Sequence, residues 1–328
     1  MHYLITGGAG FIGSFLGAEL LRRGHQVTSI DDLSTGSRAN ISELEETPGF
    51  KFIVGSGADR ELMPALAAGC DFIFHLAAVV GVKRVVQSPL AAIHSNYGLA
   101  AGVLEIAATA KKPIFIASSS EVYGKSDRIP YSENDDLTLG RPDIGRWSYA
   151  SAKALLEFLA VAMHRELGLP VIIGRLFNTV GARQNTQYGA VLPTFVNQAL
   201  SHNPITIHGD GLQTRCFIHV ADTVDALIKL SAAPACYGGI FNIGSSEEIT
   251  IVALAHRVRE HCGGGSPIVH VDRERVFGEH FEDCRRRVPD TGKLTKAIDW
   301  CPRRTIDDAI GDVAVFFSRE RAGAEAPR

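Results

Sequence analysis

Tyr149 and Lys153 stand four positions apart in the run YASAK, a spacing that on a helix puts the phenol and the ammonium on one face. A free tyrosine, with a pKa of about 10, is a poor base at neutral pH, but a neighbouring cation favours the phenolate. The pair follows an apolar strand-like run that ends in Ser118-Ser119-Ser120-Glu121-Val122-Tyr123-Gly124, which brings hydroxyls and an acid into the same part of the chain. Near the other end, TGGAGFIG occupies 6–13, with Gly7, Gly10 and Gly13 evenly spaced. Residues 3–6 read as a buried strand before it, and 11–23 as an amphipathic helix after it, closed by Gly24. In that setting the glycines permit a tight turn, a backbone close enough to touch a pyrophosphate, and a helix N-terminus whose N–H groups face the anion. Together the two motifs imply a bound dinucleotide and a tyrosine placed to move a proton beside it.

The elements that would position these residues follow from the alternation of patterns. Strand-like runs at 3–6, 27–30, 51–54, 72–76, 114–118 and 171–176 are separated by helical patterns at 59–68, 89–109 and 149–167, the last stopped by Gly168 and Pro170. This predicts an α/β fold, a Rossmann-type doubly wound parallel sheet covered on both faces. From about Gly181 the rhythm changes. Helices at 191–201, 221–232, 251–261 and 306–319 alternate with short strands at 205–207, 216–219, 241–243 and 268–271, which predicts a smaller C-terminal α/β lobe that holds a substrate. Residues 1–180 are read as the dinucleotide domain and 181–320 mainly as the lobe, with some segments returning to the sheet; 321–328 reads as a disordered tail. Asp31, 18 positions after Gly13, ends the second strand. An acid there accepts hydrogen bonds from the adenosine ribose and repels a 2′-phosphate, so NAD is expected over NADP. Arg38 lies too far along to reverse this and reads as a surface residue.

Bulk properties narrow the class. The 328 residues are 45% hydrophobic and 21% charged, with a net charge of −3, as in an ordinary soluble globular protein. Such a balance offers no surface for nucleic acid or an anionic membrane, so a phosphate-bearing partner must be met by local donors. No apolar run reaches membrane-spanning length, and the early first strand leaves no room for a signal peptide. Six scattered cysteines without a Cys-x-x-Cys pair indicate neither a zinc site nor a disulfide framework, and the twelve histidines show no metal spacing. A cytoplasmic protein with no metal is expected.

Serial motifs in one order identify a relationship. TGGAGFIG, the run Asp31–Gly36, HLAA at 75–78, Asn96, SSSEVYG at 118–124, YASAK at 149–153, RLFNTVG at 175–181, HGDGLQTRCFIHV at 208–220 and FNIG at 241–244 resemble the extended short-chain dehydrogenase/reductases, in their nucleotide-sugar epimerase/dehydratase branch, across nearly the whole chain. The resemblance implies NAD held by Gly7, Gly10, Phe11, Ile12, Gly13, Asp31, Ala77, Asn96, Tyr149 and Lys153. It implies that Ser119 holds the substrate 4-hydroxyl, Tyr149 removes its proton, Lys153 grips the nicotinamide ribose, and the C4 hydride passes to NAD. It further implies a homodimer paired through a four-helix bundle supplied by the helices at 89–109 and 149–167.

Within the branch, Glu121 resembles the acid of UDP-glucuronate decarboxylases and of 4,6-dehydratases, where 4-epimerases commonly carry a small or neutral residue. Ser120 before it departs from the Asp-Glu pair of dTDP-glucose dehydratases, although GDP-mannose dehydratases have a serine there. Residues 183–200 and the run Arg285-Arg286-Arg287-Val288-Pro289-Asp290 also resemble decarboxylases, and in the lipid-A-type enzyme the arginine two before that proline is catalytic; it falls here on Arg287. By the same resemblance Asn178 and Arg215 are expected at the diphosphate and Arg183 among the substrate residues, whereas Arg285 reads as part of a solvated charge run. Two departures stand out. Gly55-Ser56 replaces the usual Gly-Asp near the adenine, and Asn185 replaces a second arginine that glucuronate 4-epimerases use for the sugar carboxylate. The resulting expectation is decarboxylation of UDP-glucuronate through a 4-keto sugar, with a UDP-sugar 4-epimerase next, a 4,6-dehydratase third, and an NAD-binding protein without turnover the remaining alternative. Intact Ser119, Tyr149 and Lys153 speak against that last reading.

Overall fold

The computed structural model describes residues 1–81, 85, 87–184, 186, 189–277 and 282–325. Its strands in chain order are β1 (His2–Thr6), β2 (Gln26–Asp31), β3 (Phe50–Val54), β4 (Phe72–His75), β5 (Ile114–Ser119), β6 (Val171–Leu176), β7 (Asn178–Val180), β8 (Ile205–His208), β9 (Thr214–His219), β10 (Ile240–Ile243), β11 (Glu248–Thr250) and β12 (Ile268–Val271). Seven of them form one sheet in the order β10-β6-β5-β4-β1-β2-β3, every pair parallel. The chain winds outward from β1 through β2 to β3, then returns to the other side of β1 at β4. The crevice beyond the strand ends at that reversal is where an open α/β sheet binds its ligand.

Side-chain alternation explains why both faces are covered. Tyr3, Ile5, Phe72, Phe74 and Phe115 point to one face, under the helices Phe11–Arg22 and Val220–Ser231. Leu4, Ile73, Ile114 and Ile116 point to the other, under Leu99–Thr109 and Trp147–Leu167. Gly168, left-handed at φ +69°, ends the latter helix. The C-terminal lobe has its own core, in which Leu192, Phe195, Ile205, Ile207, Leu254 and Ile310 pack between helices Val191–Leu200, Ile251–His261 and Ile306–Glu325.

Sequence and structure part at a few elements. The expected helix at 89–109 is Pro89–Ile93, a π-helical turn His94–Gly98, and then Leu99–Thr109. Strands β7 and β11 have three residues each, and the helix Gly292–Ile298 also escaped the pattern reading. The two strands are too short to hold a full period, and their pairing with distant β9 decides them. The last helix continues to Glu325, through residues 321–325 that the sequence assigns to the tail; 326–328 lie outside the described residues.

One buried ion pair fixes the long helix to the sheet. Arg175 on β6 meets Glu157 at 2.7 Å with both side chains 4% exposed. Ser118 at the end of β5 donates to the same carboxylate, and the Arg175 guanidinium lies 4.6 Å over the Tyr123 ring. Removing one member of such a pair strands the other charge without solvent, which costs about 3–5 kcal/mol. Glu157→Leu is therefore expected to lower the urea midpoint by a corresponding amount; a loss under about 1 kcal/mol would show that the pair is not the clamp.

Candidate active site

The glycine turn closes on itself through backbone contacts. Gly7 has φ +76°, donates to Ile30 O at 2.9 Å, and accepts from Gly10 N at 3.1 Å. A Cβ at Gly13 would stand 2.1 Å from Gly7 O, and one at Gly7 would stand 2.7 Å from Ala77 N. The helix that starts at Phe11 has no side-chain cap, so its first-turn N–H groups, those of Phe11, Ile12 and Gly13, await an anion. Asp31 accepts N–H bonds from Ala9 (3.0 Å) and Leu33 (2.9 Å) and lines the crevice with Gly7, Ala77 and Ser95. Burial pushes its pKa up, and those N–H bonds oppose the rise. This cradle fits a dinucleotide: an anion-binding helix end, a backbone that no Cβ could approach, and an acid at the second strand end.

Asn96 lies just behind the crevice wall. It is buried, accepts from Val79 N (3.1 Å) and donates to Val79 O (2.9 Å) and Ala92 O (2.8 Å), so its amide braces the 77–79 loop while Ser95 and Leu99 form the wall. Gly55 lines the same crevice. Arg38 is exposed and paired with Glu45 at 2.7 Å, as a surface residue.

Strand β5 and the helix Trp147–Leu167 bring the reacting groups together. Ser119 Oγ accepts the Glu121 N–H at 3.2 Å, which shapes the 3-10 turn Ser120–Tyr123 and buries Ser120. Tyr149 lies beside Ser119, and Lys153 donates to Ala117 O at 2.8 Å with its Nζ 5.9 Å from the Tyr149 ring centre. Without the nicotinamide charge that is also expected to favour the phenolate, the chain's own groups leave the phenol protonated. Burial pushes Tyr149 up to about 12, with the Ser119 side chain opposing the rise, the Glu121 charge adding to it and Arg287 countering it. Burial likewise brings Lys153 down to about 8, with Glu157 opposing. His75, at the end of β4, bonds Thr6 Oγ1 at 2.7 Å and is held neutral by burial and by Lys153, its pKa brought down to about 3.

Beside these lies a chain of alternating charge. Arg287 donates to Glu121 at 2.8 Å, and Arg146 reaches the same carboxylate at 3.3 Å and Asp283 at 3.0 Å. Arg215 meets Asp283 at 2.9 Å and donates to the carbonyls of Thr214 (2.7 Å) and Cys284 (2.8 Å). Burial would raise the Glu121 pKa, but Arg287, Arg146 and Arg215 outweigh it and bring it to about 2. Burial would lower that of Arg287, which its neighbouring acids raise instead.

The three adjacent arginines separate as their positions imply. Arg287 is buried in the cluster, whereas Arg285 and Arg286 are exposed and paired with Asp210 and Glu248. Arg183 is not brought to this cluster: its guanidinium lies 4.8 Å over Phe15 of the first helix. Asn178 sits on β7 and donates to Cys216 O at 3.4 Å, one strand from Arg215. Asn185 lies outside the described residues. Sequence reading missed Arg146 and Asp283. The available signal for Arg146 was a cation just before a helix N-terminus, where the helix dipole disfavours it.

The profile of the NAD dependent epimerase/dehydratase family matches residues 3–244. UDP-N-acetyl-alpha-D-glucosaminuronate decarboxylase of Bacillus cytotoxicus is 38% identical over 315 residues, covering 96% of this chain and 97% of that one. UDP-glucuronic acid decarboxylase 1 of Danio rerio is 30% identical over 318 residues, covering 97% and 72%. Among solved structures, UDP-glucuronic acid 4-epimerase from Bacillus cereus, in complex with UDP-glucuronic acid and NAD, superposes with a TM-score of 0.87 at 25% identity over 98% of this chain and all of that one. The dinucleotide that the cradle fits is NAD.

Gly13→Ala is expected to weaken NAD binding by about tenfold or more in a titration of folded protein, because the new methyl meets a backbone oxygen rather than a movable side chain. Glu121→Gln is expected to lower stability at pH 7 by about 1–3 kcal/mol. Because the folded Glu121 pKa is depressed from 4.5 to about 2, that contribution is complete above about 4.5 and is lost as the pH falls toward 2. Urea midpoints of variant and wild type should therefore begin to converge below pH 4.5; a gap that widens there would contradict the assignment.

Proposed function

The chain belongs to the NAD-dependent epimerase/dehydratase family, and from that premise we propose that it decarboxylates a UDP-linked uronic acid through a transient 4-keto sugar. The observation that carries this reading is the buried junction of Glu121 with Arg287 and Arg146 beside Ser119 and Tyr149. A neutral hexose gives such a concentration of guanidinium no partner; a sugar carboxylate does. The two curated relatives named above are both decarboxylases of UDP-linked uronic acids.

NAD, when bound, brings a cationic nicotinamide and accepts the hydride from C4. In the proposed reaction Ser119 holds the 4-hydroxyl and Tyr149 takes its proton, and Lys153 holds the nicotinamide ribose. With the phenol otherwise pushed up to about 12 by burial, added positive charge is what makes it a base. Oxidation at C4 turns the uronic acid into a β-keto acid. The bond from C5 to the carboxylate then breaks, its electrons pass into an enolate, and carbon dioxide leaves. Arg287 steadies the carboxylate before it leaves, and Glu121, ionised, accepts from the Arg287 guanidinium and orients it beside the sugar. A proton from solvent at C5 completes the 4-keto pentose; with the hydride back at C4, the proton that Tyr149 took returns to the 4-oxygen, giving a UDP-pentose. Arg215 and Asn178 are assigned to the diphosphate.

We further propose a homodimer. Leu90 and Ile93 on Pro89–Ile93, and Leu155 and Phe158 on Trp147–Leu167, are exposed, with Phe158 68% so. Burying them against a second copy would form a four-helix bundle.

The test uses NAD-loaded protein with UDP-glucuronate and its 2-acetamido analogue, read by released carbon dioxide and by NMR of the product. Decarboxylation of at least one is expected, and Tyr149→Phe should slow it by about two orders of magnitude or more with NAD binding retained. Epimerisation of UDP-glucose or UDP-N-acetylglucosamine, with both uronates untouched, would replace this reading by the 4-epimerase one.

A further inference from the structure

Arg146 sits where a cation is disfavoured twice. It is the residue before the helix that carries Tyr149 and Lys153, so it opposes the helix dipole, and its side chain is only 5% exposed. What holds it is a set of acceptors from distant parts of the chain. Its Nη2 lies 3.3 and 3.4 Å from the two Glu121 oxygens, and its Nη1 lies 3.0 Å from Asp283 Oδ1 and 2.7 Å from Glu282 O. Arg287 shares Glu121, and Arg215 shares Asp283. The series Arg287, Glu121, Arg146, Asp283, Arg215 therefore sets three guanidiniums against two carboxylates. Arg273, more exposed, stands 3.7 Å from the other Asp283 oxygen and adds to the same sign.

Building on the decarboxylase reading, we propose that Arg146 is a positioning and specificity residue: it joins Glu121 and Asp283 into one chain, and the unbalanced positive charge of that chain selects a sugar bearing a carboxylate over a neutral sugar. A uronic acid brings the missing negative charge to a site where water cannot supply it. The diphosphate is common to acidic and neutral nucleotide sugars, so its attraction to Arg215 cancels in the comparison; specificity is a difference of affinities. Without Arg146, Glu121 and Arg287 would balance each other, and the reacting end of the site would carry no net charge to be met.

The experiment measures equilibrium binding of UDP-glucuronate and UDP-glucose to the NAD-loaded protein, in a Tyr149→Phe background in which turnover is slow on the time scale of the titration. Arg146→Gln is expected to lower the affinity ratio of UDP-glucuronate to UDP-glucose by about tenfold, leaving UDP-glucose within about threefold, and Arg146→Lys to restore most of the ratio. Asp283→Asn removes a negative charge near the rim of the cluster and should move the ratio the other way. It decides the matter if Arg146→Gln does not fold. Equal weakening of both sugars in Arg146→Gln would mean a merely structural role and overturn the proposal, as would a ratio that Asp283→Asn leaves unchanged or lowers. Carbon dioxide release by the wild type judges the reaction separately. If it occurs while the ratio ignores these charges, the selection idea falls alone; if the ratio follows the charges without any release, the decarboxylase reading falls and the selection stands.

Discussion

The Glu157–Arg175 ion pair determines where the helix Trp147–Leu167 rests, and the reacting groups are arranged from that contact. Its two charges are almost wholly out of water, so neither can move away from the other without a large cost. Glu157 is one turn beyond Lys153 and two beyond Tyr149 on the same helix, while Arg175 lies on β6 next to β5, whose end carries Ser118 and Ser119. Helix, both strands and the Tyr123 ring are therefore tied at one point. Lys153 follows from this: carried into the interior by the helix, it finds the Ala117 carbonyl at 2.8 Å. The same clamp sets the position of Tyr149 over Ser119.

Within a few ångströms the protein treats two acidic groups in opposite ways. Burial dominates at Tyr149 and keeps the phenol protonated, since the positive charge around it does not offset desolvation. At Glu121 burial acts in the same direction, but three guanidiniums overcome it and the carboxylate stays ionised. In the proposed reaction a tyrosine that becomes a base when a cationic ring arrives stands beside a carboxylate that is charged without it, so environment separates the two roles. The first depends on the cofactor, and the second is built in.

What was legible in the sequence follows from whether a constraint is local. The glycine turn could be read because its requirement is local: a Cβ at Gly13 meets a backbone oxygen six residues away. The seven-stranded sheet was legible for six of its strands through alternation, and β10 through a strand-like run in the C-terminal half. Arg146 and Asp283 were not, because the contact that gives them meaning joins residues 137 positions apart. Asn96 shows a second non-local effect. Resemblance places it among the cofactor residues, but the π-helical turn around it directs its amide to Val79 and Ala92, and its neighbour Ser95 reaches the crevice. For Tyr149 a lysine four residues away is visible in sequence, whereas the burial that raises the phenol's pKa is not.

The division of labour between the chain's halves has a structural basis in the segment that carries Arg287. Tyr131 exchanges backbone hydrogen bonds with Val288 and Asp290 at 2.8 Å each, and Asn242 on β10 donates to the carbonyls of Tyr131 and Asp290. Arg287 is thus pinned by the loop after β5 and by the outermost strand of the main sheet. Ser119, Tyr149 and Lys153, the groups proposed for the oxidation, belong to β5 and the long helix, which the core and the buried ion pair hold in place. The groups that would distinguish one sugar from another, Arg287, Asp283 and Arg215, arrive from later in the chain on short strands and turns. Arg146 and Glu121 are where the two sets touch, one at the start of the helix and one in the turn after β5. A fold arranged this way can keep its oxidation step unchanged while substitutions on the later segments alter the charge presented to the sugar.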